Sequence, residues 1–496
     1  MMDNKDPLQY IEHQLAELET KMHQEEVKRN SLFKDIHSKQ VGAARNLIHY
    51  LALRSEDIRD LQDQLHICGL SSLASAESHI LRQVQAILER LGKKYDPDEP
   101  DSCTYTYNHT QLLEKNKKLF GRKKDSLIPY IMVTFDSSLA ENYSFIKTLL
   151  QNGMNVARIN CAHDSESIWA RMIHQLKRAM YDTGMTCKVY MDLAGPKIRT
   201  KLINKGNKKG KAKLEEGGLF WLAYQADEFE ADDIVVSPDE PGIITMLNKG
   251  ERVYIDDGMI KGEIENINGE KAAVRVVRIS STKHHIKNDK GINFPDSDIT
   301  IESLTEFDRA CLPFICEHAD MVGYSFVRYP SDISRLQQSL QKISTTPPKI
   351  ILKIETPEAV KNLPGLLLQG MKDEVFGVMI ARGDLAVEIG FERMGEIQEE
   401  ILWICEAAHA PVVWATQVLE SLNKTGVATR SEITDAAHAA MAECIMINKG
   451  DHTIKVIETL RNILQRIGGH HIKKRFLFRP LSIAKQFLES EVYIKG

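Results

Sequence analysis

The stretch Val378-Met379-Ile380-Ala381-Arg382-Gly383-Asp384-Leu385-Ala386-Val387-Glu388 opens as a short apolar run, breaks at Gly383 and resumes with residues suited to a first helical turn. A buried parallel strand that ends in a glycine and hands over to a helix reads this way. At such a hand-over, free backbone N–H groups and the helix dipole both favour a bound anion. Asp384 stands beside them as a hard oxygen ligand of the kind Mg²⁺ prefers. The combination suits a phosphorylated acid, or a carboxylate chelated by magnesium. The same letters also describe an aspartate that merely caps a strand in an α/β protein.

Seven more apolar runs surround this one. The eight lie at 128–135, 156–160, 188–193, 321–327, 349–355, 377–383, 411–416 and 444–448. Helix-sized gaps separate them, the pattern of an α/β fold closed into a (β/α)₈ TIM barrel. One gap is too long. Between 199 and 292 come Gly- and Lys-rich turns and alternating segments at 251–255 and 272–279. They predict a small β-rich domain inserted after the third strand as a lid, a common means of excluding water.

Ahead of the barrel the pattern is helical from 8 to about 91. Leu8, Ile11, Leu15, Leu18 and Met22 keep a heptad-like spacing, broken where Glu25 and Arg29 fall on the same stripe. Further runs cover 41–53, 56–65 with Ser55 as candidate N-cap, and 76–91. No cluster of catalytic residue types occurs there, so packing or oligomerisation is the expected role. The layout expected is an N-terminal all-α domain with a polar, lysine-bearing connector at 93–126 (together 1–126), barrel segments at 127–200 and 292–467, the lid at 201–291, and a basic tail at 468–496.

A chain of 496 residues is long for a single core. It is 43% hydrophobic and 27% charged, and its net charge of -5 implies no general attraction to nucleic acid or an anionic membrane. Basic clusters at 115–124, 205–213 and 473–475 read as solvated faces. The eight cysteines are scattered without a CxxC pair, several of them in apolar runs. That favours a reducing compartment and argues against a zinc site. The polar, acidic N-terminus is no secretory signal, and no apolar run is long enough to cross a bilayer. A cytoplasmic protein is expected.

Barrel sites form at the C-terminal ends of the strands, and the polar residues fall there. The second run ends Arg158-Ile159-Asn160, with Arg158 and Asn160 on one face by alternation. The third ends near Asp192 and the fifth at Lys353-Ile354-Glu355; the sixth delivers Asp384, the seventh Thr416 and Gln417. Buried charges are costly unless paired or metal-bound. Lys353 and Glu355, straight after Ile350-Ile351-Leu352, therefore point to a site. Glu355 and Asp384 suffice for Mg²⁺ when substrate oxygens and water complete the shell. Lys353 and Arg158 would neutralise a transferring phosphoryl group, and the N–H groups after Ala381 would hold a carboxylate. The residues describe phosphoryl transfer to or from a small carboxylic acid.

Seven motifs carry a resemblance. They are Gly153-Met154-Asn155-Val156-Ala157-Arg158-Ile159-Asn160; Asp192-x-x-Gly195-Pro196-x-Ile198-Arg199; Asp256-Asp257-Gly258; Lys290-Gly291-Ile292-Asn293-Phe294-Pro295; Lys353-Ile354-Glu355; Ala381-Arg382-Gly383-Asp384-Leu385; and Ala415-Thr416-Gln417-Val418-Leu419-Glu420. In this order they resemble those of the pyruvate kinase family from about 128 to 467. The resemblance implies a barrel A domain, an inserted B domain, and Mg²⁺- or Mn²⁺-dependent phosphoryl transfer from phosphoenolpyruvate to ADP. By the same resemblance Lys353, Arg158 and Thr416 are catalytic, and Glu355 and Asp384 hold the metal. Ala381, Arg382, Gly383 and Asp384 form the carboxylate cradle, with Thr416, Ser325 and Phe326 lining the substrate pocket. Asn160, His163, Arg199, Asp257 and Lys290 resemble the nucleotide side, on which Arg158 is also expected.

Departures matter as well. Ala162 replaces the usual serine and Leu193 the usual threonine, while Lys197 stands where potassium-dependent members carry Glu. In the monovalent-cation region of Asn160, Asp192 and Lys197, the lysine ammonium could take the cation's role, so turnover without K⁺ is expected. The eighth loop is cut to Asn448-Lys449-Gly450-Asp451, and the family's C-terminal allosteric domain is expected to be absent. The helical extension resembles a bacterial branch lacking that domain, and it is expected to supply a homo-oligomer interface. The alternatives are a catalytically impaired relative that binds phosphoenolpyruvate, and a magnesium-dependent barrel lyase. A Lys353→Met substitution is expected to abolish transfer with little loss of fold.

Overall fold

The computed structural model describes residues 6–123, 128–280, 285–299, 301–468, 471–472 and 475–476. Asp6 and Pro7 start the first helix: the Asp6 carboxylate accepts the Leu8 N–H at 3.0 Å, and Pro7 occupies the first turn, where no N–H partner is needed. This helix, α1 (Pro7–Lys28), buries Ile11, Leu15, Leu18 and Met22 as its spacing predicts, while Leu8 stays exposed. It packs on α2 (Val41–Arg54) and α4 (Ile80–Arg90), with α3 (Arg59–Ile67) alongside. Ser55 does not cap α3. It lies at the C-terminal end of α2, its hydroxyl donating to the Ala52 carbonyl, and α3 starts only at Arg59.

The supposed connector contains a sixteen-residue helix, α5 (Tyr105–Phe120), capped by Thr104 and stopped at Gly121. Its buried stripe is Asn108, Leu112, Lys115, Asn116, Leu119 and Phe120. Half of that stripe is polar, which hid the helical period. The charged member is paired: Lys115 Nζ donates to the His409 carbonyl at 2.9 Å and to Gln40 Oε1 at 2.6 Å. Asn46 on α2 donates to the Ala407 carbonyl at 2.8 Å, and Gln40 to the Glu374 carbonyl at 2.9 Å. The helical layer is thus hydrogen-bonded to the turns that feed the barrel.

Eight parallel strands close the barrel in sequence order: β1 (Tyr130–Thr134), β2 (Val156–Asn160), β3 (Lys188–Asp192), β4 (Met321–Tyr324), β5 (Lys349–Ile354), β6 (Gly377–Ala381), β7 (Val412–Ala415) and β8 (Cys444–Ile447). Each pairs with its neighbours, and β8 returns to β1 through Tyr130↔Cys444. Helices follow the strands: α6 (Tyr143–Gln151), α7 (Glu166–Thr183), α8 (Glu306–His318), α9 (Pro330–Ile343), the short pair α10 (Pro357–Lys361) and α11 (Leu363–Gly370), α12 (Arg382–Ile389), α13 (Met394–Ala407), α14 (Glu420–Thr425), α15 (Arg430–His438) and α16 (Thr453–Ile467).

The insertion has its own apolar core around Phe220, Leu222, Val253, Ile264 and Val274. Its seven-stranded sheet runs, in spatial order, Ile292–Asn293, Arg252–Ile255, Ile260–Asn268, Lys271–Ile279, Leu219–Ala223, Val235–Pro238 and Thr200–Leu202. Its first and last strands are therefore the two crossings to the barrel. All eight cysteines are free thiols, and among the described residues no helix is long and apolar enough to cross a membrane. Apart from the short pair His471–Ile472 and Arg475–Phe476, the expected tail after Gly468 lies outside the described residues, as does Ser126.

Candidate active site

Inward-facing positions recur every second residue along a strand. In β2, β3 and β5 the deep inward residues are Val156, Tyr190 and Ile351, members of one apolar cluster inside the barrel. Two residues further on, at the C-terminal rim, the same rows carry Arg158, Asp192 and Lys353. These meet. Arg158 donates to Asp192 Oδ2 from Nη2 at 2.6 Å and from Nε at 3.0 Å, and to Thr134 Oγ1 at 3.1 Å. Lys353 Nζ lies 3.3 Å from Asp192, 3.0 Å from Glu355 and 2.6 Å from Ser325 Oγ. Tyr190 donates its phenol proton to Asp192 at 3.0 Å. Gly323 on β4 makes this possible, because a Cβ there would collide with Tyr190 Oη and Asp192 Oδ1.

The charges balance across this buried group. Burial disfavours the Asp192 carboxylate, but Lys353 and Arg158 outweigh it and hold the acid below its ordinary value. Burial likewise disfavours the Lys353 ammonium, and Asp192 and Glu355 reverse the balance, so Lys353 remains a cation. Glu355 is pulled both ways. Burial and the charge of Asp384 push it up, against Lys353 and the Phe326 N–H at 2.6 Å, and the net direction is upward. A buried carboxylate pushed up by a neighbouring carboxylate is the donor set expected of a cation site.

Strand β6 ends at Ala381, which has no side-chain cap, and α12 starts at once. The first N–H groups of α12 are therefore open to a ligand. Arg382 turns its side chain away from this opening: it pairs with both Asp435 oxygens, donates to the Ala415 and Thr416 carbonyls at 3.0 and 2.6 Å, and lies over the Trp414 ring. Only its backbone belongs to the cradle. Thr416 sits in left-handed backbone (φ 67°), as does Phe326 (φ 52°), a strained conformation that places both at strand ends. A Cβ on Gly383 would touch Thr416, so the threonine lies against the start of α12.

Other expected residues are more dispersed. Asn160 and Asp192 are register partners, yet the Asn160 side chain accepts the Ala162 N–H at 3.1 Å. Lys197 joins neither of them. Its ammonium pairs with Asp384 at 2.6 Å and lies 3.8 Å from Asp257 of the lid, and those acids hold it cationic despite burial. Lys290 pairs with Asp256 at 3.2 Å, and Arg199 donates to the Asp289 carbonyl at 3.1 Å. Burial, then the charges of Lys449 and Arg199, hold His163 below its ordinary value. Lys449 was not singled out from the sequence, because the shortened loop obscured the motif. Tyr190 and Asp435 were also missed, although Tyr190 stands two positions before Asp192 on the same face. Two cavities open at this rim. One of about 400 Å³ lies where the insertion joins the barrel, lined by Lys197, Asn293, Phe326, Thr356 and Glu388. The other, about 390 Å³, is lined by Thr134, Asp136, Ser138, Lys449 and Asp451.

Fold and site together define a closed (β/α)₈ barrel with an inserted β-rich domain and a buried ionic cluster at its C-terminal rim. Residues 130–455 match the family described as pyruvate kinase, barrel domain. The chain is 31% identical over 335 residues to a pyruvate kinase of Bacillus licheniformis, covering 66% of this chain and 55% of that one. It is 30% identical over 334 residues to one from Geobacillus stearothermophilus, covering 66% and 55%, and 29% identical over 349 residues to one from Clostridium perfringens, covering 69% and 70%. The chain belongs to the pyruvate kinase family. It spans about half the length of the first two of these curated relatives.

Proposed function

We propose that this chain is a cytoplasmic pyruvate kinase, transferring the phosphoryl group of phosphoenolpyruvate to ADP to give pyruvate and ATP. One observation carries the reading: Lys353, Arg158, Asp192 and Glu355, from three strands, are tied into one buried cluster beside Asp384 and the start of α12. Glu355 and Asp384 are oxygen donors fit for Mg²⁺ or Mn²⁺. Bound there, the ion would neutralise charge on the substrate oxygens. The α12 N–H groups hold the substrate carboxylate. Lys353 and Arg158, fixed by their acids, offer positive charge to the moving phosphoryl group without reorganisation. Thr416 stands beside the cradle, next to the enolate carbon that must gain a proton. The nucleotide lies toward Asn160, His163, Arg199, Lys449 and the lid residues Asp257 and Lys290. The cavity lined by Thr134 and Lys449 supports that side, since Thr134 also touches Arg158.

Potassium is dispensable in this reading, because Lys197 already brings a fixed ammonium to Asp384. Assembly into a homo-oligomer through the helical layer is supported by the exposed Val27, Leu32 and Ile67. The domain limits proposed are 1–126, 127–200 with 292–467, and 201–291.

A coupled pyruvate-release assay tests the whole. The intact protein releases pyruvate only when phosphoenolpyruvate, ADP and Mg²⁺ are all present. Lys353→Met lowers the rate by roughly 10²–10³-fold or more. The substitution also leaves Asp192 and Glu355 underpaired, so it costs stability as well, contrary to the expectation from its aliphatic stem alone. Its unfolding temperature is therefore measured alongside. No pyruvate from the folded intact protein would refute the reading.

A further inference from the structure

Helix α1 presents His23 and Glu26 three residues apart, on the same face. From α2, His49 meets them: its Nε2 lies 2.8 Å from Glu26 Oε2, and its ring stands edge-on to that of His23, with centroids 6.1 Å apart. One ligand atom from each of the three lies within 4.8 Å of the others. The other Glu26 oxygen is held by Arg45 Nε at 2.6 Å, which fixes the carboxylate's orientation. His49 is fully buried and its Nδ1 has no hydrogen-bond partner, while His23 is exposed and opens the cluster to solvent.

Around a zinc ion with bonds of about 2.0–2.1 Å, tetrahedral ligand atoms stand roughly 3.3 Å apart. From the spacing seen, the exposed His23 must close in and the 2.8 Å Glu26–His49 pair must open by about half an ångström. Two imidazoles and one carboxylate form a borderline nitrogen–oxygen set, suited to zinc and its neighbours and unsuited to magnesium, which favours oxygen. The scattered cysteines pointed away from zinc, but cysteine spacing cannot report a site built without thiols.

We propose that His23, Glu26 and His49 form a binding site for a divalent late transition metal, of the zinc class, that clamps α1 to α2. The site lies in the helical layer and is independent of the barrel-mouth chemistry. Its metal stabilises the folded chain by mass action.

The test uses the intact chain in excess Mg²⁺, which competes for the oxygen donors of the barrel mouth. Zn²⁺ is titrated against a chromophoric chelator, thermal unfolding is followed with and without Zn²⁺, and Co²⁺ supplies an absorption signature. Wild type is expected to take up one Zn²⁺ equivalent and to unfold at a higher temperature with it. His23→Ala, at an exposed position, is expected to fold normally. Loss of an outer partner of a metal site already costs about 10–100-fold in affinity, so loss of a ligand should weaken binding by at least about tenfold and remove the thermal shift. His13→Ala, on the same helix outside the cluster, should bind as wild type does. Undiminished binding in His23→Ala, or no Zn²⁺ uptake by the intact chain, would overturn the proposal.

Discussion

The two ends of the barrel are built from the same inward rows and do opposite things. At the C-terminal end the rows finish in Arg158, Asp192, Lys353 and Glu355, with each charge met by another. At the N-terminal end they begin with Tyr130, Val156, Met321 and Ile351, and Leu119 and Phe120 of α5 close the cylinder from below. The polar contacts there, from Gln40, Asn46 and Lys115, go to backbone carbonyls of the turns. One end concentrates paired charge where a ligand can reach it; the other excludes water and binds the chain together. Chemistry and stability are thereby separated along a single axis, and substitutions at the two ends should separate in the same way.

The largest effect belongs to the mouth, where Lys353→Met reduces turnover far more than any change at the base. Phe120→Ala is its counterpart. Phe120 is fully buried and packs on Tyr130 with ring centroids 5.2 Å apart. The cavity left should cost about 3–5 kcal/mol in a denaturant titration, while the folded fraction keeps its turnover. Loss of turnover in the folded fraction of Phe120→Ala as large as that in Lys353→Met would erase the contrast.

Gly323→Ala sharpens the comparison midway along the axis. The added methyl group drives Tyr190 from Asp192, an overpacking expected to cost about 1–3 kcal/mol in stability. Activity should fall further than that unfolding explains, because Asp192 positions both cations.

Glu388, bonded to Asn293 where the insertion rejoins the barrel, gives a pH signature. Burial, opposed by the Asn293 hydrogen bond and reinforced by Asp384, pushes it up to about 7 from an ordinary value of 4.5. Between those values the folded protein keeps a proton that the unfolded chain has already released. Stability therefore falls as pH rises through that window and levels off above about 7. In Glu388→Gln that component of the slope should vanish, read as unfolding temperature against pH. The smallest expected effect is that of K⁺. Exchanging it for a large inert cation should leave the initial rate unchanged, and strong stimulation by K⁺ would contradict the role given to Lys197.

Most of this architecture was legible. Apolar runs marked all eight strands, and polar rims five of them, because a strand buried on both faces has little choice of residue. The helix α5 was not legible, since its buried stripe carries Asn108, Lys115 and Asn116, and Lys115 is buried only because it reaches the distant His409 carbonyl. Ser55 shows the same limit on a smaller scale: a serine between two helices can serve either one. At the site the rim residues were readable one strand at a time, but their pairing was not. That Arg382 is a strut to Asp435, and that Lys197 engages Asp384, depends on loops brought together only by closure of the barrel.

The central claim is that the mouth moves a phosphoryl group from an enol phosphate to a nucleotide. Phosphoenolpyruvate labelled in its phosphoryl group, mixed with the intact protein, Mg²⁺ and ADP and then quenched, tests it most directly. The label should appear in ATP, and with Lys353→Met it should stay on phosphoenolpyruvate. Label released as inorganic phosphate, or left in place by the folded intact protein, would contradict the account.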